Sequence, residues 1–435
     1  MILNKLTLFD HLKDDIILKC LNNILDDMNI EESYFTIIRL LLERQQSLSE
    51  YMIFQMLRSD NKKLSIFGTR EKLSQFELSC LSHDLEILSS LFQLNIKDVC
   101  HKASDKNQLL YKLENYDEEI PDDISELFKT MEDQDYLIQS YLGVLKDPME
   151  QSERLTLFKG LLYRFGVGPF VLYPGFTVHE EKGELRFKGI SEIFTLEWDN
   201  IYHYQLQKES LYKNTKAFVE GRSFQNVLLV GASGTGKSTS VKSIVNEFLS
   251  EKLRLIQMQK GQLHLLPEVI DYVNERGFKF ILFIDDLSFE ANEDEYKFLK
   301  SFIEGSISVD TSQVAFYVTS NRRHLIKEIR SERENDIHLQ DFIQEMTSLS
   351  DRFGLTLLYE SLVQKEYLQM VKNMYDKLIT DDEPKRFAKV LQTSSYKLNQ
   401  LLSDEELFEQ ARIYALRHGK MSGRVALQFI KQLGV

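Results

Sequence analysis

Up to about residue 150, apolar positions recur three and four apart with no Gly or Pro inside the runs, as in FTIIRLLLERQQ (35–46), EYMIFQMLRS (50–59) and LEILSSLFQL (85–94). This spacing stacks them on one face of successive helices and predicts an all-α amino-terminal domain over 1–150. The texture changes from Phe165, where GVGPFVLYPGFTVHEEKGELRFKGISEIFTLEW mixes Gly and Pro with short aromatic and β-branched runs. A few short strands, with Glu181-Lys182-Gly183 as a hairpin turn, are expected there as a β-rich connector over 151–198. A helix over Tyr204–Gly221 follows. Short apolar runs then alternate with longer amphipathic ones: NVLLV (226–230), LRLIQM (253–258), FKFILFI (278–284), QVAFYVT (313–319) and LTLLYE (355–360). That alternation predicts a parallel five-stranded sheet covered on both faces, an α/β core over 199–360 with ligands at the carboxyl ends of its strands. Helical periodicity returns after Tyr359 and predicts a helical lid over 361–435. No internal repeat is present.

The segment GASGTGKS, Gly231 to Ser238, satisfies G-x-x-x-x-G-K-[ST] in full and sits between the strand NVLLV and the helical stretch KSTSVKSIVNEFL. Its glycines let the backbone curl so that successive N–H groups point inward at phosphates, and the helix that follows adds its positive end. Nucleotide contacts are therefore expected along Gly231, Ala232, Ser233, Gly234, Thr235, Gly236, Lys237 and Ser238, with Thr239 packing behind them. Lys237 should reach the β- and γ-phosphates of ATP as a point charge, and the Ser238 hydroxyl should take one position on Mg²⁺.

A second element, FKFILFIDD, ends an apolar strand in two carboxylates, and the strand LRLIQM intervenes in sequence between it and the P-loop strand. Asp285 is the candidate for Mg²⁺, and Asp286 for orienting or deprotonating the attacking water. Turn-forming or capping aspartates are the plainer alternative. The strand QVAFYVTSN delivers Thr319, Ser320 and Asn321 to the same sheet edge. Asn321 is placed either to hydrogen-bond the γ-phosphate or attacking water, or simply to cap the next helix.

Charge narrows the range of partners. The chain carries 53 basic and 67 acidic residues, a net of −14. Residues 1–200 hold 22 basic and 35 acidic side chains, a balance of −13, so the acidity belongs to the amino-terminal half. Direct nucleic-acid binding, which depends on phosphate neutralisation, is disfavoured. The densest acidic stretch runs from Glu114 to Asp135 around Pro121, read either as a solvated connection or as a docking surface for a basic partner. Three scattered cysteines, Cys20, Cys80 and Cys100, fit a reducing compartment. Early charge in the first residues and the lack of a long apolar run leave a cytoplasmic location without membrane association as the expectation.

With these residues in hand the chain resembles AAA+ ATPases, and more narrowly the bacterial group catalogued as domain of unknown function 815. The resemblance rests on NIYHYQLQKESLYKNTKAF, NVLLVGASGTGKST, FILFIDDLSFE, VTSNRRHLI, LSDRFGL and SGRVALQFI, and spans roughly 165–435. It implies that Ile201 and Tyr202 lie against adenine, that Asn321 senses the γ-phosphate, and that Arg424, after Gly423, reaches the phosphates from the lid. Arg352 in SDRFG corresponds to an arginine finger, which inserts into the site of a neighbouring subunit and makes hydrolysis depend on a homo-oligomer. The alternatives are that Arg352 pairs with Asp351 or Glu360 and that Arg424 caps a helix. Arg322, Arg323 and His324 are candidates for coupling nucleotide state to a partner, or for a solvated loop. Many AAA+ proteins carry Asp-Glu where this chain has Asp285-Asp286. Either Asp286 suffices, Glu290 assists, or turnover is slow. The expected activity is hydrolysis of Mg-ATP to ADP and phosphate, used to remodel or load an unidentified macromolecular partner. An ATP-gated assembly switch with slow turnover and a DNA-directed initiator or loader are the alternatives.

Overall fold

The computed structural model describes residues 3–44, 47–58, 62–69, 72–93, 132–193, 195–274, 276–289, 295–303, 310–321, 349–380 and 402–433. The acidic stretch before Glu132, and Cys100, lie outside them. The described residues fall into two compact units, one running to Tyr173 and including 276–278, the other holding the remainder.

In the first unit the helices are α1 (Ile16–Leu25), α2 (Ile30–Arg44), α3 (Leu48–Leu57), α4 (Lys62–Thr69), α5 (Gln75–Phe92), α6 (Glu132–Lys146), α7 (Gln151–Phe165) and the single turn α8 (Pro169–Leu172). Their starts are set by side chains that satisfy the free amides of the first turn. Asp15 accepts from the Leu18 amide, and Ser47–Glu50 and Ser74–Glu77 form reciprocal capping boxes. Tyr34, Tyr51, Tyr141, Phe9 and Phe158 are among the largest wholly buried side chains. Asp84 is also fully buried; its carboxylate accepts the amides of Thr7, Leu8 and Phe9 and the Thr7 hydroxyl, which anchors the amino-terminal segment to α5. Buried Arg154 donates to the Val144, Leu145 and Asp147 carbonyls and so closes the carboxyl end of α6.

The second unit is built on one seven-stranded sheet in the order β2-β1-β4-β5-β6-β3-β7. Its strands are β1 (Gly175–Glu181), β2 (Glu184–Ile190), β3 (Val227–Gly231), β4 (Leu253–Met258), β5 (Lys279–Ile284), β6 (Val314–Ser320) and β7 (Leu355–Tyr359). The five expected strands are all present, each boundary within a residue of its expected place. The sheet is nevertheless larger than the five strands expected, because the β1–β2 hairpin joins it. β1 runs parallel to β4, with Gly175 opposite Leu255 and Thr177 opposite Gln257, and only the β1–β2 pair is antiparallel. The connector expected over 151–198 is therefore no separate piece. α7 and α8 belong to the helical unit and the hairpin to the sheet, because backbone groups along β1 find their hydrogen bonds on the free edge of β4.

Helices α9 (Gln205–Val219), α10 (Lys237–Glu247), α11 (Leu266–Val273), α12 (Glu295–Ile303), α13 (Gln364–Thr380), α14 (Asp404–Arg417) and α15 (Gly423–Leu433) complete the described part of this unit. Tyr367, Met370 and Val371 of α13, Leu407 and Ala411 of α14 and Phe429 of α15 share one apolar core with Leu229, Val241 and Ile244. β3, β5 and β6 are buried almost throughout, as continuous apolar runs covered on both faces should be. Since β3 to β7 are parallel, the residues that follow Gly231, Ile284 and Ser320 emerge along one sheet edge. Among the described residues, no helix is long and apolar enough to cross a membrane.

Candidate nucleotide-binding site

The loop after β3 turns on glycines, held there by close approach at one position and by left-handed backbone at the others. Gly231, at φ 149, faces the backbone of Tyr359 on β7, where a Cβ would lie 2.0 Å from the carbonyl oxygen. Gly234 and Gly236 hold φ of 85 and 99. Gly236 is the residue before α10, and its carbonyl takes the Ser240 amide at 2.8 Å. Buried Thr235 ties the loop across itself by donating to the Ala232 carbonyl at 2.9 Å. Ala232 and Ser233 stand exposed at the tip. Thr239, half-buried, gives its carbonyl to the Thr195 hydroxyl at 3.3 Å, a packing position. The result is a curled chain of amides at the positive end of an eleven-residue helix, which suits an anion.

Lys237 is 6 % exposed, and its ammonium donates to the Gly231 carbonyl at 2.7 Å, the Ala232 carbonyl at 2.8 Å and Asn321 Oδ1 at 3.0 Å. Burial lowers its pKa, the carboxylates of Asp286 and Asp285 oppose that fall, and the charge of Arg424 adds to it. Asn321 turns its amide nitrogen to Asp286 Oδ1 at 2.5 Å. One continuous chain thus runs from the lysine through Asn321 to Asp286. The shorter carboxylate does reach the lysine–asparagine cluster, helped by a left-handed backbone at Asp286, φ 53.

Beside this chain, the Ser238 hydroxyl donates to Asp285 Oδ1 at 2.6 Å, and the Thr319 hydroxyl donates to the same oxygen at 2.6 Å. Both aspartates are exposed, so no burial penalty calls for a cation there; what favours one is the donor set. Among the described residues no group of three His, Cys, Asp or Glu could cage a metal. One hydroxyl and one carboxylate fit the sparse oxygen ligation of Mg²⁺, which keeps waters and takes its other ligands from substrate phosphates.

The carboxyl-terminal helices meet this loop directly. The Arg424 amide donates to the Gly234 carbonyl at 3.3 Å, Ser422 is buried beneath, and the Arg424 side chain is exposed. Ile201 is buried in the core of the unit, with Tyr202 packed half-buried against it. Sequence reasoning missed what holds this segment. Buried Lys208 donates to the Trp198 carbonyl at 2.7 Å and the Ile201 carbonyl at 3.2 Å, and Lys377 of α13 donates to Asn200 at 2.5 Å. His203 meets Glu366, also on α13, at 3.6 Å. No motif marks these residues. Thr319 was visible as a strand-end hydroxyl, but its partners were not.

Arg352 is not brought to this cluster. It precedes β7 at the amino end, whereas the loop follows β3 at the carboxyl end, and the two strands pair in parallel with Val227 opposite Leu355. Glu290, Arg322, Arg323 and His324 lie outside the described residues.

A mostly parallel sheet in which the strand leading into Asn321 lies between the P-loop strand and the strand leading into Asp285, with helices returning onto the loop, defines an α/β P-loop fold of the AAA+ type. The chain belongs to the family described as "Protein of unknown function (DUF815)", whose family model matches residues 173–434. Among solved structures it is similar to the Holliday junction branch migration motor RuvB of Thermotoga maritima, at 15 % identity over 55 % of this chain and 73 % of that one, TM-score 0.30. It is similar also to the FIGL-1 AAA domain in complex with ADP, at 14 % identity over 55 % and 84 % of the two chains, TM-score 0.30. No curated protein gives a significant match.

Proposed function

We propose that this chain is an ATPase that binds Mg-ATP on Gly231–Ser238, hydrolyses it to ADP and phosphate, and works as a homo-oligomer to remodel or load a macromolecular partner. The observation that carries this is the unbroken contact chain Lys237–Asn321–Asp286 at the mouth of the loop, with Ser238 and Asp285 joined beside it. Loop amides and Lys237 would grip the β- and γ-phosphates. Ser238 and Asp285 would hold Mg²⁺, which supplies charge neutralisation on the phosphates. Asp286 orients and accepts a proton from the attacking water, while Asn321 and Arg424 steady the γ-phosphate. Ile201 and Tyr202 would border the adenine, and Arg352 would act on the site of a second copy. Positioning and fixed charge do the catalytic work.

Lys237→Ala tests this. Nucleotide affinity in the presence of magnesium should fall roughly 10–100-fold, the loss of one or two charged hydrogen bonds, and phosphate release should fall with it. Unchanged affinity by titration calorimetry would sink the assignment.

A second reading is favoured by one contact: the Asp286 carboxylate is already held by Asn321. If that clamp persists with ATP bound, the protein is an assembly switch with slow turnover. Phosphate release by the wild type no faster than by Lys237→Ala, at concentrations where the wild type self-associates, would select this reading.

A further inference from the structure

The last pair of the ladder between β5 and β6 is Ile284 with Val318, and beyond it residues 319–321 hold the chain after β5 through both side chains and backbone. The Thr319 hydroxyl donates to Asp285 Oδ1 at 2.6 Å and accepts the Asp286 amide at 2.8 Å. The Thr319 carbonyl receives the Leu287 amide at 2.8 Å, and the Ser320 hydroxyl donates to the Leu287 carbonyl at 2.8 Å. Asn321 then binds the Asp286 carboxylate. Thr319 and Ser320 are 1 % and 0 % exposed, whereas both aspartates are exposed.

Adjacent carboxylates at a strand end repel one another and, continuing as a strand, would point to opposite faces. Here Asp286 leaves the strand conformation for φ 53, a left-handed turn that an aspartate tolerates better than most side chains but that its neighbours must still hold in place. A hydroxyl has one proton to donate and two lone pairs to accept with, so Thr319 can serve both aspartates at once. Its proton fixes the direction of Asp285 towards Ser238, and its lone pair captures the amide that the left-handed turn of Asp286 presents.

We infer that Thr319 is a positioning residue for the reaction: its hydroxyl divides the Asp285–Asp286 pair between two tasks, aiming the first carboxylate at the metal position beside Ser238 and holding the second in the turn that faces Asn321 and Lys237. This rests on the proposed Mg-ATP chemistry and extends it to a buried residue that stands behind the two aspartates.

The test separates metal-dependent from metal-independent binding. A fluorescent ADP analogue is titrated with and without excess magnesium onto the wild type and onto full-length Thr319→Val and Thr319→Ser, with unfolding temperature followed alongside. Valine keeps the shape and removes the hydroxyl; serine keeps the hydroxyl. Thr319→Val should lose roughly tenfold of the affinity gained on adding magnesium, the worth of about one charged hydrogen bond, while magnesium-free affinity stays within about twofold. Thr319→Ser should recover most of that loss. Full magnesium enhancement in Thr319→Val overturns the inference. So does an equal loss with and without magnesium that serine fails to repair, the result of a purely structural role. Should Thr319→Val not fold, Thr319→Ala carries the same comparison. Absence of any magnesium-dependent binding in the wild type brings down the proposed function first, and this inference with it.

Discussion

Gly231 and Gly236 belong to one motif and look interchangeable as letters, yet the structure gives them different tolerances. A methyl at Gly231 would overlap the Tyr359 backbone at 2.0 Å, whereas at Gly236 nothing lies within 4 Å and only the φ of 99 resists substitution. Gly231→Ala should therefore cost more than about 3 kcal/mol, or prevent folding of the sheet, and Gly236→Ala only about 1–2 kcal/mol. Chemical unfolding followed by circular dichroism orders them, and equal costs would contradict the packing described. That the loop after β3, the two aspartates and Asn321 come together was legible, because each follows an apolar strand of one parallel sheet and the loop motif restricts residue type and spacing. The reason for Gly231 was not, because it is written at Tyr359, far along the chain. Asp84 gives the same lesson. In SHDLEIL it looks like a surface acid on a helix, but it is fully buried because three amides near the amino terminus need an acceptor.

Among the elements, strands of the core were readable almost to the residue, since buried parallel strands are continuous apolar runs with few competing interpretations. The hairpin was readable as a hairpin and unreadable as part of the sheet. Its turn is local chemistry: Lys182 and Gly183 have φ of 55 and 80, the left-handed pair that a two-residue loop demands. Its attachment is long-range. β1 pairs with β4 through the backbone ladder, and the Phe187 ring on β2 stacks on Tyr272 of α11 with centroids 4.4 Å apart. The turn is not optimised, because lysine pays a steric penalty at its position that asparagine avoids. Lys182→Asn should stabilise the sheet unit by about 0.5–1 kcal/mol, seen as a higher denaturant midpoint with unchanged slope. A lower midpoint would mean that the lysine makes a contact worth more than its backbone strain.

For the molecule as a whole, the position of Arg352 matters most. The length of β7 and the residues before it put this arginine on the order of 15 Å along the strand direction from the loop of its own chain. If Arg352 completes a site, that site belongs to another copy. Arg352→Ala should keep nucleotide affinity within about twofold while losing most phosphate release. Mixing it with Lys237→Ala should restore part of the activity, since in mixed assemblies an intact loop then meets an intact arginine. Two inactive variants that remain inactive on mixing would place Arg352 in a purely structural role.

The chain also threads its two units in a way that bears on how they can be produced and studied. Residues 276–278 lie among the helices of the first unit, although β5, the strand that leads into Asp285, begins at the very next residue. Gly277, at φ 73, leaves room for only 3.0 Å between an added methyl and Thr69; Phe278 fills the space above Gly166, and Arg276 is 2 % exposed. Cutting the polypeptide at residue 173 to isolate the sheet would strip these three residues of their surroundings and leave an aromatic ring and a guanidinium in water at the root of β5. A recombinant fragment designed from the family match alone would thus begin with an unmade core at the foot of the strand that leads into Asp285, and co-expression of the missing helices is the natural remedy.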